Sequence, residues 1–210
     1  AVGVWGVMRM SKDSQVANQQ TNSDSTEQTM ENSNQSTKEP KQEVAKTEPA
    51  PVIAGCSRNF DENKLKSAVV DTKNKFVTLD VTNFGQIKIQ LYDTDAPKTV
   101  ENFLRLVNSG YYNCITFHRI AQGFVIQGGD PTGTGSGGQS AFGAEFADEL
   151  NPQTLSYKTG YKKGVVAMAN RGPNTNTSQF FIMLEDKGLA NNYTIFGKVT
   201  SGQDVVDKIG

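Results

Sequence analysis

The sequence predicts a mainly β domain, closed into an antiparallel barrel with two helical segments and carried behind a long polar stretch. Three observations predict it. From Phe76 onward the chain runs through short β-rich segments separated by loops dense in Gly, Asn and Pro, the pattern of a small closed barrel. Two segments interrupt them with apolar residues at helical spacing, one starting at Pro97 and one at Asp204. Every aromatic residue except Trp5 lies at Phe60 or later, so the core belongs to that part of the chain.

Residues 1–10 begin with the apolar run Ala1-Val2-Gly3-Val4-Trp5-Gly6-Val7-Met8. It reads either as the remnant of a signal peptide or membrane anchor, or as an unstructured terminus. Residues 11–59 form a polar linker: up to Ala50 its only large apolar residues are Val16, Met30 and Val44. Such a stretch buries too little surface to offset its ordering entropy and is expected to be a disordered tether, stiffened near its end by Pro40, Pro49 and Pro51. Ile53-Ala54-Gly55-Cys56-Ser57 has the look of a lipoprotein cleavage box, but Glu48-Pro49-Ala50-Pro51 stands where an apolar run should precede it. Residues 60–75 lead into the domain, which spans 76–210.

Within that domain, Phe76–Thr82 and the strictly alternating Gln86–Leu91 are strands joined by Asn83-Phe84-Gly85, a hairpin signal. Thr94 or Asp95 can cap the helix that follows, with Pro97 in its first turn. Val100, Phe103, Leu104 and Val107 form its apolar stripe, and Asn108-Ser109-Gly110 ends it. Further β-type runs are Ile115–Ile120, Phe124–Gln127, Val165–Ala169, Gln179–Leu184 and Thr194–Val199. Val205, Val206 and Ile209 mark a last amphipathic helix.

A balance of 21 basic against 22 acidic residues offers no basic field for a phosphate backbone, which argues against a nucleic-acid partner. Cys56 and Cys114 stand far apart without CxxC spacing, suggesting neither a zinc site nor a disulfide framework. His118 is the sole histidine, which excludes a multi-histidine metal site. No serine or cysteine stands out as its nucleophilic partner, so it reads as a histidine hydrogen-bonded within a strand. Gly133–Gly138 fits G-x-G-x-x-G literally but precedes neither a crossover helix nor a Walker lysine, so it reads as a loop of tight turns. The adjacent carboxylates Asp148 and Glu149 read as solvated surface. No cofactor or metal is expected.

The informative constellation is distributed over several strands. It comprises Phe117-His118-Arg119, Gly123-Phe124-Val125-Ile126-Gln127-Gly128-Gly129-Asp130, Ala167-Met168-Ala169-Asn170 and Ser178-Gln179-Phe180-Phe181-Ile182, with Gly172–Asn176 and Phe196-Gly197-Lys198-Val199. From about Phe76 to the end, the chain resembles the cyclophilins, peptidyl-prolyl cis/trans isomerases. The resemblance implies an eight-stranded antiparallel barrel capped by two helices, with substrate bound on the outer wall. It also implies one more strand after Gly210 to pair with the first; without it that edge is left open. Strand parity agrees, since Val125 and Gln127 share a face, as do Gln179 and Phe181, while Ile126, Phe180 and Ile182 point oppositely into a core.

By the same resemblance Arg119 is the catalytic residue. Phe124, Val125, Phe181 and Leu189 wall the proline ring, Gln127 holds a substrate carbonyl, and Asn170 offers backbone hydrogen bonds. Ala169, Gln179 and Tyr193 complete the substrate site, Tyr193 standing where the family often has a histidine. Gly188 falls where many members carry the pocket tryptophan that cyclosporin binding uses. Arg171 stands where a small residue is common, which is expected to favour acidic or polar residues before the proline. The expected partners are proline-containing peptides and unfolded or nascent proteins. A monomer tethered to a membrane outside the cytoplasm is expected, with a cytoplasmic setting as the alternative. A proline-binding or chaperone module is the competing reading, and retention of Arg119 argues for turnover instead.

Overall fold

The computed structural model describes residues 7–12, 60–67 and 75–210. In chain order the elements are β1 (Val7–Lys12), α1 (Glu62–Ser67), β2 (Phe76–Val81), β3 (Gly85–Leu91), α2 (Pro97–Asn108), β4 (Ile115–Thr116) and β5 (Arg119–Ala121). Then follow β6 (Val125–Gly128), α3 (Leu155–Thr159), β7 (Val165–Met168), β8 (Phe180–Met183), β9 (Ile195–Ser201) and α4 (Gln203–Ile209). All strands join one antiparallel sheet in the order β4-β1-β2-β3-β9-β7-β8-β6-β5. Its two end strands, β4 and β5, are separated along the chain only by Phe117 and His118. In a flat sheet, strand spacings of about 4.8 Å would hold such ends nearly 40 Å apart, whereas the connecting residues reach about 10 Å. The sheet must therefore curl far enough to bring its two ends within reach of the Phe117-His118 connection.

The predicted hairpin is present as β2 and β3, with Asn83 at φ 68° and Gly85 at φ 117° in its turn. Departures from the expected barrel have physical reasons. The run Ile115–Ile120 is two strands, because the chain leaves the sheet at Phe117-His118. The outer edge of β2, expected to wait for a strand beyond Gly210, is paired by β1 through Met8↔Val81 to Lys12↔Val77. The described sheet thus has nine strands, Val7–Lys12 among them. The Val-Met-Arg-Met alternation is a strand pattern too short to stand out beside the apolar start. The remaining calls on residues 1–6 and 13–59, including Cys56, lie outside the described residues. Cys114 is disulfide-bonded, against the expectation from spacing; spacing along the chain does not reveal which segments a fold brings within bridging distance.

The main core lies between the curled sheet and the helices. Phe103 on α2 packs against Tyr112, Phe180 and Phe196 at centroid distances of 5.2, 5.6 and 5.0 Å. The lead-in folds as α1, capped by Asp61, whose carboxylate accepts from Asn63 and Lys64 N–H, with Leu65 buried against the same core.

The first turn of α2 is not capped by Thr94 or Asp95. Ala96 occupies the N-cap position without a side-chain bond, and Asp95 instead accepts from Ser156 N–H. The cap comes from Glu149, whose carboxylate accepts from Lys98 N–H at 3.0 Å, Thr99 N–H at 2.8 Å and the Thr99 hydroxyl at 2.7 Å. Asp148 accepts from Asn174 N–H and the Asn176 side-chain amide. These two carboxylates, expected to be solvated surface, lock the loop after Phe146 to α2 and to the loop after β7.

Candidate active site

The alternation of β6 and β8 creates two faces. Register pairs are Val125↔Met183, Ile126↔Ile182, Gln127↔Phe181 and Gly128↔Phe180. Ile126, Phe180 and Ile182 enter the main core, whereas Val125, Phe181 and Met183 form a second apolar cluster with Tyr161, Val165, Ala167 and Ile195. Phe124, Ala169, Leu189 and Tyr193 are half-buried against that second cluster. The apolar residues expected to seat a proline are therefore gathered on the outer face. The Tyr193 ring stands edge-on to Phe181 at 5.6 Å, and Tyr161 backs both rings. Burial pushes the Tyr161 phenol up to about 12, and its hydroxyl donates to Tyr193 C=O, fixing that loop.

Beside this cluster runs a polar relay. The β5–β6 hairpin turns tightly through Gly123 at φ 65°, which fixes Arg119↔Gln127 as a register pair. Arg119 reaches Gln127 Oε1 at 3.5 Å, and its guanidinium lies 6.0 Å from the centre of the Phe124 ring. Gln127 Nε2 donates to Gln179 Oε1 at 2.9 Å, and Gln179 Nε2 donates to the carbonyls of Gly135 and Gly137 at 2.9 and 2.7 Å. The glycine loop is organised from within by Asp130, whose carboxylate accepts from the N–H groups of Thr132, Gly135 and Gly137. Burial opposes ionisation of Asp130, but these bonds outweigh it and hold its pKa below the usual carboxylate value. Asp130 was not among the residues expected at the site.

Asn170 adjoins the relay across Ala169, whose N–H is held by Gln179 C=O. Its side chain is occupied structurally, donating to Asn192 C=O at 2.9 Å, while its own backbone groups enter no backbone hydrogen bond among the described residues. Arg171 does not stand free for an acidic substrate residue. Its guanidinium pairs with Glu145 and reaches Ser136 C=O, tying three loops together. At Gly188 a side chain would meet no atom within 4 Å, so that flank of the apolar patch is open.

His118, expected to be hydrogen-bonded in a strand, instead lies in the break between β4 and β5, and among the described residues neither ring nitrogen has a hydrogen-bond partner. Burial is the main cause lowering its pKa, and the Arg119 charge adds to this while Asp130 opposes it. The residue is half-buried with both ring nitrogens enclosed. Phe117 turns into the main core, edge-on to Phe180 at 6.4 Å, because the break removes the shared parity with Arg119.

The curled antiparallel sheet thus carries an apolar outer patch with an arginine beside it, and comparison with known proteins gives the family. Residues 76–210 match the model of the cyclophilin type peptidyl-prolyl cis-trans isomerase/CLD family. This chain belongs to that family. It is 52% identical over 135 residues to peptidyl-prolyl cis-trans isomerase-like 1 of Rhizopus delemar, covering 64% of this chain and 79% of that protein. It is 47% identical, with the same coverage, to a peptidyl-prolyl cis-trans isomerase of Arabidopsis thaliana. A crystal structure of a cyclophilin-type isomerase from Cryptosporidium parvum is similar with a TM-score of 0.56 and 43% identity, covering 60% of this chain and 78% of that one. The chain is a peptidyl-prolyl cis-trans isomerase.

Proposed function

We propose that Arg119 is the donor that drives isomerisation here, with the proline ring seated on Val125, Phe181, Leu189 and Tyr193 under Phe124. An X-Pro bond rotates over a barrier of ~20 kcal/mol because the nitrogen lone pair is delocalised into the carbonyl. Twisting localises that pair on nitrogen, so a donor fixed nearby binds the twisted amide better than either planar form. A guanidinium suits the task because it stays charged and presents directional N–H groups. No covalent intermediate or proton transfer is required.

The observation that carries this reading is the Arg119↔Gln127 register pair beside the outer apolar cluster. A charge-assisted hydrogen bond contributes ~1.5–3 kcal/mol, whereas a 10⁵-fold acceleration needs ~7 kcal/mol. The remainder comes from holding the ring while the flanking carbonyl swings, with Gln127 on a substrate carbonyl and the backbone of Asn170 pairing with the peptide. Ala169 and Gln179 shape the floor. Replacing Arg119 by Ala is expected to slow catalysis of proline-limited refolding about 10- to 100-fold. Undiminished acceleration refutes its role, and retained peptide binding with no acceleration in the parent chain would favour a binding module.

The working setting proposed is an extracytoplasmic, tethered monomer acting on unfolded or nascent chains. The polar stretch 11–59 and the disulfide at Cys114 support it, since disulfides persist in oxidising compartments. Among the described residues no helix is long and apolar enough to cross a membrane. Fractionation of cells making the protein tests the setting, and recovery solely in the cytosol counts against it.

A further inference from the structure

Met8 is fully buried, although it stands far from the rest of the core in sequence. The stretch 13–59 separates its strand from the lead-in along the sequence. β1 inserts between β2 and β4: Met8 pairs with Val81 on one side and with Ile115 on the other, and Met8 C=O accepts from Cys114 N–H at 3.0 Å. Two residues beyond Ile115 the chain turns through Phe117 and His118 into Arg119. On its inner side, Met8 reaches the other limb of the site. A Cβ placed on Gly128, the residue after Gln127, would sit 2.9 Å from the Met8 methyl, 3.2 Å from Phe117 and 3.2 Å from Thr116 C=O. Met8 therefore packs under Gly128 at the end of β6 while its backbone holds β4, the strand just before Arg119, and the space it fills is one that Gly128 leaves open.

From this we infer that β1 is a positioning strand, and that Met8 is a positioning residue holding the Arg119–Gln127 geometry from beneath. This rests on the reading of Arg119 and Gln127 as catalytic machinery. The occupant of the slot between β2 and β4 is this chain's own Val7–Lys12. An unbranched thioether suits a gap bounded by a glycine, a ring edge and a carbonyl.

The experiment uses the full chain and compares Met8→Ala and Met8→Leu with Val206→Ala, a core substitution on α4 away from the site. Exchange spectroscopy on an X-Pro peptide gives kcat and KM separately, at a temperature where melting curves show every variant folded. Met8→Ala is expected to lower kcat about tenfold with KM within about twofold, since a small misplacement of a donor is felt mainly at the transition state. Met8→Leu should recover most of the rate, and Val206→Ala should leave kcat unchanged. A folded Met8→Ala chain with parental kcat overturns the inference, and so does an equal fall in Val206→Ala. Arg119→Ala, assayed alongside, separates the two failures. If it keeps the parental rate, the site reading falls and takes this one with it; if it slows while Met8→Ala does not, only the strand's role is lost.

Discussion

Replacing Gln179 by Leu removes the middle of the polar relay while keeping a side chain of similar bulk on β8's lead-in. Three hydrogen bonds go: one from Gln127 Nε2 and those to the carbonyls of Gly135 and Gly137. Gly135 is exposed and Gly137 half-buried, so water replaces the partner at both carbonyls. The stability cost is therefore about 1–2 kcal/mol, near the net worth of ordinary hydrogen bonds rather than of buried orphans. The catalytic cost is larger in consequence, because Gln127 loses the acceptor that fixes its amide and turns its Oε1 toward Arg119. A fall of about tenfold in kcat/KM, or ~1.4 kcal/mol of transition-state stabilisation, is expected. Exchange spectroscopy at several peptide concentrations measures it, with a urea titration on the same sample. Gln179→Glu is the companion: its carboxylate accepts from Gln127 but repels the two glycine carbonyls, so it should disturb the loop more than Leu does. A folded Gln179→Leu chain with kcat/KM within about twofold of the parent would refute the relay.

Glu149→Ala strips the acceptor from Lys98 N–H, Thr99 N–H and the fully buried Thr99 hydroxyl, and should cost about 2–3 kcal/mol. Melting should fall by about 5–10 °C with Glu149→Gln intermediate, and an unchanged transition would show that α2 needs no cap from that loop. His118 gives a pH dependence. Its folded pKa is lowered by burial, so the unfolded chain binds more protons below the ordinary histidine value. Its stabilising contribution is full above about pH 6.5 and declines as pH falls from there toward the depressed folded value. Urea titrations from pH 7.5 to 5 should show this decline, and His118→Gln should flatten it; an undiminished slope in that variant assigns the effect elsewhere.

The parts legible in the sequence were those governed by local periodicity. The β2–β3 hairpin, the α2 stripe and the two-faced parity of β6 and β8 follow from neighbours along the chain, and parity alone separated Ile126, Phe180 and Ile182 from Val125, Gln127 and Phe181. What could not be read depends on distant partners. The α2 cap lies some fifty residues downstream in Glu149. Arg171 looked like a free charge until Glu145 was brought against it. Met8 has the alternation of a strand residue, but nothing local says which edge receives it. Asp130 had a readable signal, a carboxylate opening a loop of repeated glycines whose N–H groups need an acceptor. His118 misled because burial without a hydrogen bond leaves no local trace.

Among the described residues Arg119 sits on a strand with a single neighbour, at one end of the curled sheet. A central strand is held by ladders on both sides, whereas β5 is held only by its hairpin with β6. The guanidinium is thus aimed by side chains, by Gln127 and the Phe124 ring, with Gln179 behind them. Substitutions in this set leave the backbone ladder and the main core intact, so they should change rate well before stability. Ile126 and Phe180, one residue over on the same strands, contribute nothing to the outer face and everything to packing, so truncating them should unfold the domain before it alters the chemistry. That division holds only while the β6–β8 register holds: a slip of one residue would exchange the two sets. At Gly128 an added Cβ would meet Met8, Phe117 and the Thr116 carbonyl, which ties the placement of Arg119 to what lies beneath β6.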